Sequence, residues 1–353
     1  MTEATGHFST GKVRAVHDVA SDVRMIEIEP GGREAHRYPT GSHLDIAVVI
    51  DELPDIRSYS LVGEGPVDGA YRIAVKEIPD SRGGSVFVRA LQPGTEIEVS
   101  EPQSHFELQY NRPEYLLVAG GIGITPIFGM AHALKRHGRP FRVLYAARTR
   151  EQMPFVEELS ELLGDQLELF VSAEGKRLDV EAEIEGLHPD GELYLCGPLR
   201  LRDAAQRAWR QKERRADRLQ FETFASGGRF APEEFVARVR DADTEVTVRK
   251  NRTLLDALKD EGVDMMWDCL RGECGLCAVQ VIEAEGELDH RDVFLSDEEN
   301  EEGKTLISCV SRAVGGAITI DTGFRSDDAR RGTPAEESVY SDNPAVSRAR
   351  ASS

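Results

Sequence analysis

Asp268-Cys269-Leu270-Arg271-Gly272-Glu273-Cys274-Gly275-Leu276-Cys277, answered further on by the lone cysteine of Ser308-Cys309-Val310, fixes what the last part of this chain folds around. The order C-x₄-C-x₂-C and then a distant C is the ligand spacing of a plant-type 2Fe-2S cluster. Three thiolates must converge from one loop, which demands tight turns. Gly272 and Gly275 supply the backbone freedom and let amide N–H groups approach sulfur. A structural zinc ion is the alternative occupant, but zinc favours two paired short spacings. The candidate metal ligands are therefore Cys269, Cys274, Cys277 and Cys309, and the chain reads as an electron carrier. Cys196 makes five cysteines in all, an odd number that suits iron ligation better than disulfide bridges.

Around the cysteine loop the text has strands at Phe235 to Val239 and Glu245 to Val248 and a helix at Thr253 to Glu261. This unit is expected to span residues 233–325. A linker is expected at 227–232, where Gly227-Gly228 stands, and a disordered tail at 326–353, where large apolar residues almost vanish. From Glu114 to the linker, apolar strands alternate with helical segments: Tyr115 to Ala119, Phe141 to Ala146, Leu167 to Val171 and Leu193 to Cys196. That alternation predicts a parallel α/β sheet over residues 109–226. From His7 to about Leu108 the strands are short and broken by Pro and Gly clusters, as at Val23 to Ile28 and Tyr71 to Val75. An antiparallel barrel over residues 1–108 is expected. The fold class is thus multidomain, β and α/β.

Ala119-Gly120-Gly121-Ile122-Gly123-Ile124-Thr125-Pro126 follows a buried strand and precedes a helix expected from Ile127 to His137. Glycines in that place let backbone N–H groups face a pyrophosphate. Proline stands where the dinucleotide fingerprint has its third glycine, and the acid expected about 20 positions on is absent. The next strand ends instead in Arg148-Thr149-Arg150. Two readings stay open: a nucleotide site of another lineage, and a plain strand-to-helix turn. Cys196, in Tyr194-Leu195-Cys196-Gly197-Pro198, is either a small buried hydrophobe or a cofactor contact at the carboxyl edge of the sheet.

In the barrel, Arg57-Ser58-Tyr59-Ser60 puts a cation, a ring and two hydroxyls within four residues. Lys76 and then Arg82-Gly83-Gly84-Ser85 join positive charge to a flexible glycine pair, which suits a terminal phosphate. Each could alone be a surface turn. Electron counting supports a flavin independently: nicotinamide gives two electrons as one hydride, a 2Fe-2S cluster takes one at a time, and a flavin converts between them.

The formal charge is −20, which disfavours nucleic acid and anionic membranes as partners. No apolar run reaches the roughly 18 to 20 residues of a membrane helix, and the start Met1-Thr2-Glu3-Ala4-Thr5 has no secretory pattern. The expected location is the cytoplasm. Residues 233–325 carry 11 Lys and Arg against 22 Asp and Glu, a net of −11, so more than half the charge sits on the electron-exit unit.

These motifs together resemble the phthalate dioxygenase reductases and vanillate demethylase oxidoreductases. They are a branch of the ferredoxin-NADP reductase superfamily with a C-terminal plant-type ferredoxin domain. The resemblance spans about residues 8–325. It rests on Arg57 to Ser60, Gly83 to Ser85, Gly120 to Pro126, Cys196 to Pro198, Glu222-Thr223-Phe224 and the four cluster cysteines. It implies a β-grasp fold around the cluster and FMN as the flavin, held by Arg57, Tyr59, Ser60, Lys76, Arg82, Gly83, Gly84 and Ser85. It implies that Gly121, Gly123, Thr125 and Cys196 receive the nicotinamide nucleotide and that Phe224 covers the flavin face until nicotinamide replaces it. NADH is the family's usual donor, while Arg148 and Arg150 offer a place for the 2′-phosphate of NADPH. The implied activity is that of a monomeric reductase passing electrons from NAD(P)H through FMN and 2Fe-2S to a terminal Rieske-type oxygenase or demethylase. A haem-thiolate monooxygenase is the alternative acceptor. Docking is expected at the acidic ferredoxin domain, around Asp297 to Glu302.

Overall fold

A computed structural model describes residues 8–32, 34–50, 53–77, 83–224, 230, 232–250 and 252–323. The expected Arg82, most of the linker and the tail lie outside the described residues. The chain divides into two compact units, Met1–Phe224 and Ala225–Ser353.

The first unit opens with an antiparallel sheet of β1 (Ser9–Ala20), β2 (Val23–Pro30), β3 (Ser42–Ile50), β4 (Leu53–Ser60), β5 (Tyr71–Lys76) and β6 (Glu96–Val99), in the order β4-β3-β6-β1-β2-β5. The short β7 (Gln103–Ser104) pairs with β3. Leu61 bridges to Ile73, and the Val62 N–H donates to the Arg72 carbonyl at 2.8 Å, so the two edge strands meet and the sheet curls into a barrel. Inward Val13, Ile26, Ile28, Leu44, Ile46 and Ile73 are at most 1% exposed and fill it. Helix α1 (Gly84–Arg89) packs on this barrel through the buried Val88.

Next comes a parallel sheet of β8 (Tyr115–Gly120), β9 (Phe141–Ala147), β10 (Leu167–Val171), β11 (Glu192–Cys196) and β12 (Leu219–Glu222), ordered β10-β9-β8-β11-β12. Its central strand shows why an apolar run becomes a core strand. Tyr115, Leu117 and Ala119 face one core and Leu116 and Val118 the other, so both faces are buried. Helices α2 (Ile124–Arg136) and α3 (Val156–Leu163) cover the first face, α4 (Val180–Gly186) and α5 (Leu199–Gln211) the second. Each leucine so buried contributes about 1.5–3 kcal/mol. Val23, Val62 and Ala74 of the barrel join the first of these cores, which makes barrel and sheet one unit. Helix α2 starts three residues before the expected Ile127. Pro126 is its third residue, where the missing N–H would have had no partner within the helix anyway.

The second unit is a mixed sheet of β13 (Phe235–Val239), β14 (Thr244–Val248), β15 (Ala278–Ala284), β17 (Thr305–Ile307) and β19 (Ile318–Asp321), ordered β14-β13-β19-β15-β17. Strands β16 (Glu287–Asp289) and β18 (Arg312–Val314) form a separate pair. Helix α6 (Leu254–Asp260) lies in the grasp of this sheet, with Leu254 and Leu258 fully buried, which is the expected β-grasp form. Arg312 is only 2% exposed, and its guanidinium donates to the carbonyls of Glu233, Arg249 and Arg252. The acidic stretch forms α7 (Asp297–Glu302), started by a reciprocal cap in which the Ser296 Oγ accepts from the Glu299 N–H at 3.3 Å and Glu299 accepts from the Ser296 N–H at 2.8 Å. Acidic residues at a helix start also suit its dipole. Among the described residues no helix is long and apolar enough to cross a membrane.

Candidate functional site

In the parallel sheet the chain reverses direction of growth between β8 and β11, the place where open α/β sheets bind ligands at the strands' carboxyl ends. The two motifs read from sequence both sit there. Ala119 pairs with Cys196, so the Gly121–Gly123 turn and Cys196-Gly197-Pro198 leave the sheet side by side. They touch so closely that a Cβ on Gly123 would stand 2.1 Å from the Cys196 carbonyl oxygen, and one on Gly120 would stand 2.5 Å from Pro198 Cδ. Only glycine permits that approach. Gly121 has φ +57°, left-handed backbone that favours glycine. Thr125 is buried and its hydroxyl donates to the Ile122 carbonyl at 3.1 Å, so it holds the turn closed. Cys196 is fully buried in the sheet core.

The barrel residues converge on the same unit. Arg57 lies on Gly84: a Cβ there would meet Arg57 Nε at 2.7 Å, so the cation and the opening residues of α1 share one place. Gly83 has φ +104°, a conformation other residues resist. The cation, the glycine amides and the Ser85 hydroxyl fit a terminal phosphate. Tyr59 is half-buried against the barrel core, and burial pushes its phenol up to about 12, so the ring stays neutral. Ser60 is 5% exposed and its hydroxyl donates to Glu222 at 3.1 Å. Lys76 ion-pairs with Asp22 at 3.3 Å, and its ammonium is 4.0 Å from where a Cβ of Gly121 would be, so it stands between barrel and glycine turn. Phe224, the last residue of this unit, is 40% exposed.

In the second unit the four sequence-identified thiols come together as two pairs, Cys269 with Cys274 and Cys277 with Cys309. Two pairs fit a two-iron cluster, each iron taking two thiolates. The loop reaches this form through left-handed backbone at Leu270, Gly272 and Gly275, with φ of 53°, 76° and 76°. A side chain at Gly272 would meet Val310 and Asp292, and one at Gly275 would strike the Phe294 ring 2.4 Å away. The amides of Arg271 and Glu273 point at Cys269 Sγ from 3.5 and 3.4 Å. The hydrogen bond from Cys274, helped by those amides, lowers the Cys269 thiol below its ordinary range against the opposing effect of burial, which suits a thiolate ligand. Ser308 bonds the Cys277 carbonyl through both N–H (3.2 Å) and Oγ (2.7 Å), which delivers Cys309 to its partner.

Family models match all three parts: an oxidoreductase FAD-binding domain over residues 10–108, an oxidoreductase NAD-binding domain over 117–207 and a 2Fe-2S iron-sulfur cluster binding domain over 237–314. The phthalate dioxygenase reductase of Burkholderia cepacia is 32% identical over 321 residues, covering 88% of this chain and 96% of that protein. The chain belongs to the phthalate dioxygenase reductase family. The toluene-4-sulfonate monooxygenase system reductase subunit of Comamonas testosteroni is 34% identical, with 88% and 97% covered. The solved structure of phthalate dioxygenase reductase, described as modular for electron transfer from pyridine nucleotides to 2Fe-2S, superposes with a TM-score of 0.75. It is 29% identical, with 89% of this chain and 98% of that one covered. This member of the phthalate dioxygenase reductase family is thus an NAD(P)H oxidoreductase with flavin-, nicotinamide- and 2Fe-2S-binding parts.

Several contacts within these sites had no local signal in the sequence. Glu222 meets Ser60 across 162 positions. Asp22 holds Lys76 and also accepts from Gln152 at 2.9 Å. Asp292 accepts from the Leu295 N–H and the Ser311 hydroxyl, both at 2.9 Å, while the neighbouring Val293 N–H donates to Gly272 at 3.0 Å and braces the cluster loop.

Proposed function

We propose that this protein is the reductase component of an oxygenase system, taking hydride from NAD(P)H into FMN and sending single electrons through the 2Fe-2S cluster to a separate Rieske-type oxygenase or demethylase. The observation that carries this reading is the pairing of four thiols as a one-electron port on a chain that also holds a hydride-accepting flavoprotein unit. The names of the relatives, reductases of dioxygenase and monooxygenase systems, support a separate oxygenase as acceptor.

FMN supplies the exchange between a hydride and single electrons. The chain's residues then have positioning tasks. Arg57, Gly83, Gly84 and Ser85 bind the phosphate, Tyr59 supports the ring, and the buried Ser60–Glu222 pair places a hydroxyl and a carboxylate where a proton can be held. Gly121 and Gly123 would receive the pyrophosphate, Thr125 and Cys196 keep that turn and its neighbour in register, and Phe224 would cover the flavin face where nicotinamide has to enter. Lys76, anchored by Asp22, adds positive charge between the two sites. Cys269, Cys274, Cys277 and Cys309 hold the cluster. Reducing surroundings suit such thiols, and we infer a monomer working in the cytoplasm.

The acceptor is proposed to dock on the acidic ferredoxin unit, at the stretch Asp297 to Glu302 and beside Cys269, where Asp264, Met266 and Asp268 are exposed in alternation, Met266 by 60%. An apolar side chain set between carboxylates matches a partner with a socket ringed by Lys and Arg. The rate of electron transfer to the oxygenase is expected to fall several-fold between low and about 0.5 M salt, because complementary charges raise the association rate mainly at low ionic strength. Stopped-flow reduction of the oxygenase measures it, and a rate independent of salt would remove the acidic docking face.

A further inference from the structure

On the outer face of the barrel a row of buried polar side chains stands outside the roles given above. Along β3, Leu44 and Ile46 face the barrel core, so His43 and Asp45 point the other way. On β4, Ser60 is opposite His43, and Ser58 is opposite Asp45 and donates to its Oδ1 at 2.5 Å, so all four share that face. Gln103 of β7 is opposite His43 on the other side, and its amide reaches Asp45 Oδ2 at 3.3 Å. An outward polar row normally meets water, yet His43 is 4% exposed and Glu222, which accepts from Ser60, only 1%. The His43 ring stacks on that of His105, with centroids 5.5 Å apart and 27° between the planes, and His105 is exposed. His43 Nε2 is 3.8 Å from Asp45 Oδ1. The row therefore runs from a buried carboxylate, past a buried imidazole, to an imidazole in water.

We propose that His43 and His105 are the proton exit of this reductase. Each NADH delivers two electrons and one proton as hydride, the electrons leave singly to the acceptor, and one proton per NADH is left to be sent to water. Ser60 passes its proton to Glu222 as it takes another from the flavin side, Glu222 passes one to His43, and His43 gives it up by way of His105 and water. At each step one O–H or N–H bond breaks as the next forms, and nothing in the row is oxidised or reduced. Facing residues of paired antiparallel strands have Cβ atoms about 4.5–5.5 Å apart, which puts the Ser60–Glu222 pair within reach of the His43 imidazole. Histidine takes up and releases protons near neutral pH. Asp45 favours the positive charge that His43 carries in passing. His43 thus acts through Glu222 and not on the flavin itself.

This inference rests on the reductase reading, and the experiment keeps the two apart. The holoenzyme is reduced anaerobically with one equivalent of NADH, mixed with excess ferricyanide and followed by rapid-scan infrared spectroscopy, while a pH-indicator dye reads the released proton. A protonated-carboxyl band that is missing in Glu222→Gln belongs to Glu222. In His43→Gln that band is expected to decay about 100-fold more slowly than in the native enzyme, the low end of what a positioned proton acceptor contributes. The dye signal should slow with it. His43→Ala should be as slow and should recover when imidazole is added, which separates a lost relay from a disturbed fold. His105→Ala should slow the dye signal by a smaller factor, and no change there removes His105 from the path. The proposal is overturned by a native enzyme without the Glu222 band, by native decay in His43→Gln, or by slow release that imidazole does not restore. If the native holoenzyme takes no hydride from NADH, the reductase reading falls and the relay with it. If it does and His43→Gln behaves as native, the reading stands and the relay alone falls.

Discussion

Replacing Cys309 by serine is expected to remove the 2Fe-2S cluster, and with it all single-electron output, while NADH still reduces a two-electron acceptor through the flavin. Cys309 is 4% exposed, paired with Cys277, and presented by the backbone and hydroxyl of Ser308. A serine hydroxyl has nearly the same shape but does not ionise in the range where a thiol does, so one iron loses half of its protein ligands. The surrounding Leu255, Ile307 and Val310 remain, and the cost of one buried hydroxyl is about 1–3 kcal/mol, which this unit should survive. The variant should therefore be yellow from flavin alone. Absorbance, iron content and the reduced-cluster electron paramagnetic resonance signal check this, with reduction of the two-electron dye dichlorophenolindophenol as the control for the upstream steps. A variant that keeps a full-strength cluster signal would mean that Cys309 is not the fourth ligand.

Arg57→Ala is expected to weaken FMN binding by about 10- to 100-fold, the loss of hydrogen bonds from a cation to phosphate at about 1.5–3 kcal/mol. The close packing of Arg57 on Gly84 is the reason: the guanidinium is directed to the opening of α1, where Gly84 and Ser85 present their amides. Gly84→Ala should reproduce part of the effect, since its methyl group would force the arginine off by overlapping Nε at 2.7 Å. Fluorescence titration of the flavin-free protein with FMN and with FAD measures both variants and tests whether the shorter flavin is preferred. Unaltered FMN affinity in Arg57→Ala would move the phosphate site elsewhere.

The sequence disclosed most where chemistry imposes a spacing. Cysteine ligands must sit at fixed offsets and a pyrophosphate turn must follow a buried strand, so the cluster loop and the glycine turn were legible and the structure brings each together. The runs Tyr115 to Ala119 and Phe141 to Ala146 were legible as core strands because both their faces are apolar. What stayed hidden depends on pairing between distant segments. Ser60 gives no sign that Glu222 lies against it, since the contact is made by folding β12 back toward the barrel. Arg150 read alone suggested a phosphate-seeking cation, and only the strand order shows Glu174 already holding it. Helix α2 begins at Ile124 and not at the expected Ile127 because its first turn accommodates Pro126, whose missing N–H would have had no partner within the helix.

The most direct test is an anaerobic titration of the holoenzyme with NADH, followed by absorbance and electron paramagnetic resonance, with the oxidised oxygenase added at the end. The expected result is bleaching of both flavin and cluster, a 2Fe-2S signal that accounts for one electron, and loss of that signal when the oxygenase is added. Flavin reduction with no reduced-cluster signal would contradict the role of the four cysteines as the one-electron exit.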